Sequence, residues 1–340
     1  MTNRADVTYF GAGPALLPTE VLENASQALL NYDNTGLGIA EHSHRSQLAA
    51  NILNEAKADL GGGSGGFFWL APKEEDADQD KLVAELSKAI DNELKLDYLV
   101  TGGWSLKAYQ EAGRLLGTEH VNIAADARTI NDGKFGRIPE GGTWKLSKDA
   151  AFVYYCDNET VDGVESPKFP EALVPKNDGT GPIVVADMSS NILSRKVPVK
   201  NFSLVFFGAQ KNLGSTGVTV VIIKKSLLPP NCPQPSPSLM RKLGLPIPPV
   251  ILSYETIAKN NSLYNTLSIF DVYIAGQVLK KLLKTFQDKA DGQEAVANKK
   301  ATLIYEALEA HPDIYRIVPD KSVRSRMNIC FRVTKNGETE

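Results

Sequence analysis

The chain has 340 residues, 42% of them hydrophobic, and its 37 lysines and arginines nearly balance its 40 aspartates and glutamates, for a net charge of −3. This length corresponds to about two typical domains, and the balanced charge argues against nucleic acid or anionic membranes as partners. No apolar stretch approaches the roughly 20 residues of a membrane helix, and the polar start lacks a signal-peptide core. The three cysteines are widely spaced without a C-x-x-C pair, so we expect a cytoplasmic protein without disulfides or a bound metal.

The first part of the chain is predicted to be helical. Apolar residues at helical spacing predict helices over residues 21–32 and 48–60, separated by a polar loop with the sequence EHSHRS at 41–46. The two histidines of this loop have no third metal ligand nearby in sequence, so we expect no metal there. The second helix runs into a glycine-rich loop over 61–66. A charged stretch then carries apolar residues on one face and predicts a surface helix over about 82–94.

Short apolar runs then alternate with loops and helices, at residues 97–101, 121–124, 151–155, 183–186, 204–207 and 218–223. In these runs hydrophobic and polar residues do not strictly alternate, and long crossover segments separate one run from the next. Both features are typical of buried parallel strands, so we predict an α/β fold with helices on both faces of the sheet. The proline-rich stretch 229–249 is predicted to be neither helix nor strand. Two helices over about 268–286 and 293–310 and a late strand over 327–333 follow.

A single lysine, Lys211, stands directly after a predicted strand in the sequence FFGAQKNLGSTG. The small and glycine residues around it allow the backbone to approach a ligand closely. In dry surroundings a lysine loses its proton and becomes an amine nucleophile that forms a Schiff base. The alternative is an ordinary lysine that faces solvent.

Further candidates stand at the ends of other strands. Asp187 ends a predicted strand at the edge where open α/β sheets bind ligands, and it either pairs with a protonated ring nitrogen or caps the next segment. Trp104 follows a Gly-Gly turn and either stacks on an aromatic ligand or packs in the core. The glycine run around Ser64 offers backbone N–H groups and a hydroxyl that suit a phosphate.

Seven motifs together resemble one family. They are, in chain order, FGAGPALLPTEVL, GLGIAEHSHRS, GGGSGG, CDNETVDGVE, VVADMSSNILSR, FFGAQKNLGSTGVTVVII and NNSLYNT. From about Tyr9 to about Val333 the sequence is similar to the phosphoserine aminotransferases, class V enzymes with the type I pyridoxal 5′-phosphate (PLP) fold. The resemblance implies an α/β, aspartate aminotransferase-like fold with a large domain over 16–270, in which helices cover a mainly parallel sheet. It also implies a smaller α+β domain from residues 1–15 and 271–340.

The resemblance also implies roles for individual residues. Lys211 would hold PLP as a Schiff base and move the proton between the substrate Cα and C4′, while Asp187 would keep the pyridine nitrogen protonated. Trp104 would stack on the ring and also contact the substrate, and Thr160 would hydrogen-bond near the ring edge. The cofactor phosphate would be bound by Gly63, Ser64 and Gln210, and across a homodimer interface by Asn265 and Thr266. Arg45 would bind a substrate carboxylate.

The implied reaction transfers an amino group from L-glutamate to 3-phosphohydroxypyruvate, giving 2-oxoglutarate and O-phospho-L-serine by a ping-pong route in serine biosynthesis.

Two departures from the family pattern stand out: Leu60 abuts Gly61 where the family has a core strand, and no C-terminal His-Arg pair or Gly-Gly-x-Arg segment occurs up to Glu340. We therefore expect an incomplete small domain. Two alternatives remain: a shortened family member that binds PLP with weak or no turnover, and a related class V enzyme such as a cysteine desulfurase or an alanine:glyoxylate aminotransferase.

Overall fold

A computed structural model describes residues 4–7, 9, 14–60, 79–176, 181–335 and 338–339. The helices are α1 (Thr19–Leu30), α2 (Gln47–Leu60), α3 (Gln79–Glu93), α4 (Gly103–Leu116), α5 (Pro237–Lys242), α6 (Tyr254–Lys259), α7 (Ile269–Thr285) and α8 (Ala290–Glu309). The strands are β1 (Leu96–Val100), β2 (Val121–Asp126), β3 (Phe152–Cys156), β4 (Asn158–Glu159), β5 (Val164–Glu165), β6 (Val184–Asp187), β7 (Leu204–Gly208), β8 (Thr219–Ile223), β9 (Tyr315–Ile317), β10 (Phe331–Lys335) and β11 (Glu338–Thr339).

The central sheet of the described chain has six strands in the order β2-β1-β3-β6-β7-β8. The first five are parallel to one another, and β8 pairs antiparallel with β7. Strands β9 to β11 form a separate three-stranded sheet, and β4 and β5 form a short antiparallel pair. All six predicted strands are present with ends within two residues of the prediction, and the α/β fold is confirmed. No helix in the described ranges is long and apolar enough to span a membrane.

The sheet is buried on both faces, as expected for parallel strands. Successive residues of each strand point to opposite faces, so Leu99 and Tyr155 pack in one core cluster while Tyr98 and Tyr154 pack in another. Side chains of α4 pack against the second cluster, and α7 reaches the first through Leu279. The predicted domain boundary at residue 270 stays a prediction.

Two predictions from the second half of the chain are wrong in detail. The proline-rich stretch contains the helix α5, because the Ser236 hydroxyl accepts the Leu239 N–H at 3.1 Å and Pro237 fits the first turn, where an N–H has no partner within the helix. The late strand begins four residues later than predicted. The N–H groups of Met327 and Asn328 bond instead to the Ser325 hydroxyl at 3.0 and 2.9 Å, which forms a turn.

A buried ionic cluster joins the segment after β3 to the C-terminal part of the chain. Arg195 Nη2 lies 2.7 and 2.6 Å from the two carboxylate oxygens of Asp157, and its Nε lies 3.7 Å from Oε1 of Glu165. Oε2 of Glu165 accepts the backbone N–H of Arg326 at 2.9 Å and its Nε–H at 3.1 Å. The side chains of Arg195, Asp157 and Glu165 are only 5%, 0% and 1% exposed. These three buried side chains therefore need their oppositely charged neighbours, because little water reaches them.

We expect Arg195→Met to lower the free energy of unfolding by about 3–5 kcal/mol, because the buried carboxylate of Asp157 loses its cation and Glu165 keeps only its ion pair with Arg326. Urea unfolding followed by circular dichroism measures this change. The matched control is Lys168→Met, which removes a surface ion pair whose lysine and glutamate side chains are 70% and 79% exposed. That change should stay within about 1 kcal/mol. Equal unfolding midpoints for the two variants would show that the buried cluster does not hold these segments together.

Candidate active site

Four of the predicted site residues lie at one edge of the central sheet. Trp104 follows β1, Thr160 follows β3 and its neighbour β4, Asp187 ends β6, and Lys211 follows β7. The strands β1, β3, β6 and β7 are adjacent and parallel, so their carboxyl ends meet at the edge where such sheets bind ligands. The register places Asp187 between Cys156 of β3 and Phe206 of β7.

Ser189 fixes one oxygen of the Asp187 carboxylate. The backbone N–H of Ser189 bonds to Oδ1 of Asp187 at 2.8 Å, and the Ser189 hydroxyl bonds to the same oxygen at 2.6 Å. Burial raises the pKa of the Asp187 carboxyl, while the bonds from Ser189 and the charge of Lys211 act in the opposite direction. The cap-like bond to Ser189 is thus present, but it uses Oδ1 only.

Lys211 is half-buried in the turn that leaves β7. Burial lowers the pKa of its ammonium group, and the nearby carboxylate of Asp187 partly restores it. The Ser189 hydroxyl also accepts the N–H of Gly208 at 3.1 Å, which ties the turn after β6 to the end of β7. One serine therefore links the strand ends that carry the acid and the amine, and sequence reasoning did not single it out.

Trp104 is not a core residue, since 49% of its surface is exposed. Nζ of Lys107, one turn further along α4, lies 4.7 Å from the centre of the indole ring. The alternative of a packed core tryptophan is therefore wrong, and the indole is available at the sheet edge. Its helix starts one residue earlier, at Gly103.

Two acidic side chains that the sequence reasoning missed bond to the start of α4. Glu159 accepts the backbone N–H groups of Trp104 and Ser105 at 2.9 and 3.0 Å, and Asp162 accepts the N–H of Gly103 at 2.9 Å. Burial raises the pKa of Glu159, and the bonds from Ser105 and Trp104 oppose that shift. Both acids stand inside the motif CDNETVDGVE, on either side of Thr160, which was the available signal.

Comparison with known proteins identifies the family. The sequence profile of the aminotransferase class-V family matches residues 80–339. The phosphoserine aminotransferase of Saccharomyces cerevisiae is 39% identical over 355 aligned positions, which cover 98% of this chain and 85% of the yeast protein. The chain belongs to the phosphoserine aminotransferase family of class-V aminotransferases. The family prediction is confirmed.

Other members of the phosphoserine aminotransferase family agree with this assignment. The Drosophila melanogaster protein is 36% identical and covers 96% of this chain and 82% of its own length. The structure of phosphoserine aminotransferase from Bacillus circulans subsp. alkalophilus superposes with a TM-score of 0.74 at 33% identity, covering 96% of this chain and 83% of that one. The PLP-bound enzyme of Trichomonas vaginalis gives a TM-score of 0.72 at 31% identity, covering 95% and 83%.

PLP is the cofactor of this family, and the side chains at the sheet edge fit it. The aldehyde of PLP needs an amine, its ring nitrogen needs a carboxylate, and its flat ring needs an aromatic face. Lys211, Asp187 and Trp104 are an amine, a carboxylate and an aromatic ring at this edge, and Thr160 follows β4. Because the charges of Lys211 and Asp187 influence each other's pKa, the amine and the acid belong to one site.

The other predicted contacts are not all part of this sheet edge in the described residues. Gly63 and Ser64 fall outside the described residues. Gln210 adjoins Lys211, and its backbone carbonyl accepts the N–H of Ala15 at 2.9 Å. The remaining three residues, Arg45 in the turn before α2 and Asn265 and Thr266 in the segment before α7, are exposed at the surface of the chain. The roles assigned to all of these residues stay predictions.

A cavity of about 440 Å³ lies apart from this edge cluster. Its walls include Leu99 and Tyr155, which belong to one core cluster of the sheet, together with Trp144 and the segment 166–172. None of the four site residues at the sheet edge lines it. This cavity is thus not formed by Lys211 and Asp187.

Proposed function

We propose that this chain transfers the amino group of L-glutamate to 3-phosphohydroxypyruvate, giving O-phospho-L-serine and 2-oxoglutarate for L-serine biosynthesis. The observation that carries the proposal is the Lys211–Asp187 pair at the carboxyl edge of the sheet, in a chain 39% identical to the yeast phosphoserine aminotransferase. Trp104 and Thr160, which follow β1 and β4 at the same edge, support the proposal.

When bound, PLP supplies an electron sink for the charge that develops at the substrate Cα. The amine of Lys211 would hold the cofactor and move the proton at Cα. Burial helps this task, because the lowered pKa of Lys211 leaves more of the amine neutral and able to accept a proton. Asp187 would accept a hydrogen bond from the ring nitrogen through Oδ2, since Ser189 already occupies Oδ1. The indole of Trp104 would cover one face of the ring and exclude water from it.

Arg45 is proposed to bind a substrate carboxylate through a bidentate contact, for which its exposed guanidinium is suited. We expect Arg45→Lys to raise KM for glutamate and for phosphoserine about tenfold with little change in kcat, because a lysine keeps the charge but loses one of the paired hydrogen bonds. Steady-state kinetics measure both constants. Arg114→Lys, at an exposed arginine on α4, is the control and should leave both KM values unchanged. A fall in kcat at an unchanged KM would argue against this role.

A homodimer is the proposed assembly. Exposed apolar side chains cluster in the chain just before the segment of Asn265 and Thr266, with Val250, Leu252 and Tyr254 exposed by 53%, 61% and 40%. Exposed apolar side chains, where they form a contiguous surface, mark protein interfaces. Asn265 and Thr266 would reach the phosphate of the partner's cofactor. Light scattering gives the mass, and mixed dimers of Lys211→Ala and Thr266→Ala chains should regain activity only if sites are shared.

A cytoplasmic location is part of this proposal, supported by three cysteines that are all free.

The function is tested by incubating the full chain and PLP with phosphoserine and 2-oxoglutarate and measuring the glutamate that forms. Borohydride reduction followed by peptide mapping should place the cofactor on Lys211. Turnover of alanine and glyoxylate with none of phosphoserine would identify a related class V activity instead. Cofactor on Lys211 without turnover of either pair would identify the weakly active or inactive alternative.

A further inference from the structure

The turn after β4 and the start of α4 are held together by two carboxylates. Glu159 spans two N–H groups of the first helical turn, at 2.9 Å to Trp104 and 3.0 Å to Ser105. Asp162 takes the N–H of Gly103 at 2.9 Å. The Ser105 hydroxyl in turn accepts the N–H groups of Thr101 and Gly102 at 3.0 and 3.2 Å. The N–H groups that a helix start leaves without partners are all taken here by side chains.

This contact is close and dry. The side chain of Glu159 is 0% exposed, and no ion pair to it occurs among the residues that the structure describes. A Cβ atom on Gly102 would lie only 2.4 Å from Cγ of Glu159 and 2.7 Å from Oδ2 of Asp162, so only glycine allows this approach. The N–H groups and the positive end of α4, rather than a cation, therefore face the buried carboxyl group.

The acid that caps the helix is the direct neighbour of Thr160, and the helix that it caps presents Trp104 at its second residue. The hydroxyl and the indole proposed to meet the cofactor ring come from distant parts of the sequence. Glu159 joins their backbones, because its two carboxylate oxygens each accept one of two adjacent N–H groups.

Resting on the proposed function, we propose that Glu159 is a positioning residue that sets the indole of Trp104 and the hydroxyl of Thr160 in one fixed arrangement around the PLP ring. Asp162 supports the same arrangement through its single bond. Because both acids act on the ring contacts and not on the phosphate, losing them should weaken the binding of PLP and of pyridoxal, which lacks the phosphate, by the same factor.

The experiment titrates PLP, and separately pyridoxal, into the full chain stripped of cofactor and follows the visible circular dichroism of the bound ring. Glu159→Gln keeps the shape of the side chain, but its amide NH₂ group then faces the backbone N–H of Trp104 or Ser105, so that two donors oppose each other. We expect its Kd for PLP and for pyridoxal to rise at least tenfold. Asp162→Asn should raise both constants at least threefold.

Asp126→Asn is the matched control, because Asp126 accepts the N–H of Arg128 at 3.0 Å at the end of β2, an edge strand of the same sheet. Its Kd values should stay within twofold of the wild type. A Glu159→Gln protein with a lower Tm but unchanged Kd values would show a purely structural cap and overturn the proposal, as would a loss of PLP binding that pyridoxal does not share. If Glu159→Gln does not fold, the Kd values of Asp162→Asn for PLP and pyridoxal test the proposal in its place. A wild-type chain that binds no PLP would overturn the proposed function itself.

Discussion

Replacing Lys211 by alanine is expected to lower kcat for the transamination by at least about 10³-fold, because the variant would lose the group proposed to move the proton at the substrate Cα. The same change removes the site of borohydride labelling. PLP should still bind, more weakly, through the aromatic and acidic contacts that remain. Added primary amines of small size should restore part of the activity, since they supply the missing base. Rate measurements with and without methylamine check this result.

The control is Lys224→Ala. Lys224 is also half-buried, and burial lowers the pKa of its ammonium group as it does for Lys211. It follows the antiparallel strand β8, so it lies at the opposite edge of the sheet, where its N–H bonds to the carbonyl of Ser203 at 2.9 Å. Its loss should leave kcat within a factor of about two. Equal activity of the Lys211→Ala and wild-type proteins would contradict the proposed reaction, whatever the control does.

The sequence was sufficient to predict the central sheet and the residues at its edge. Buried parallel strands are continuous apolar runs, so their positions follow from local composition. The residues that follow such strands, among them Asp187 and Lys211, must then share one edge, whichever order the strands adopt. The choice between a core and an exposed position for Trp104 needed the structure, because an indole after a turn suits both.

The contacts that fix the start of α4 could not be predicted, because they join residues far apart in the chain. Glu159 bonds to Trp104 and Ser105, more than fifty residues earlier, and no periodic pattern announces that contact. The link from Glu165 to Arg326 spans an even longer stretch. The helix α5 was missed for a different reason: proline content was taken to exclude a helix, although a proline suits its first turn.

Asp187→Asn is expected to lower kcat by about 10²- to 10³-fold, because the ring nitrogen would lose the charged partner proposed to keep it protonated. The fold should not suffer. Both bonds from Ser189 go to Oδ1, which an asparagine oxygen can replace, and the amide nitrogen then occupies the position of Oδ2. Since burial of the charged form raises the pKa of Asp187, the cofactor-free variant should be at least as stable as the wild type at neutral pH.

The pH dependence of this difference follows from the direction of the pKa shift. A carboxyl whose pKa is raised by folding contributes stability that is fully present below its ordinary pKa and is lost as pH rises through the raised value. Asparagine has no such loss, so the gap in Tm between the cofactor-free variant and the wild type should open as pH rises from about 3 to about 7. Thermal unfolding at a series of pH values measures the gap.

Asp97→Asn provides the opposite control. Asp97 is a fully buried aspartate of β1, but its Oδ1 accepts the hydroxyl of Ser147 at 2.7 Å and its Oδ2 accepts the N–H of Ser147 at 2.7 Å. The NH₂ group of an asparagine at this position would face the N–H or the hydroxyl of Ser147, which are both donors. Tm should therefore fall, while kcat of the folded protein stays unchanged. If Asp187→Asn lowers Tm as Asp97→Asn does and leaves kcat intact, Asp187 serves the fold and not the cofactor.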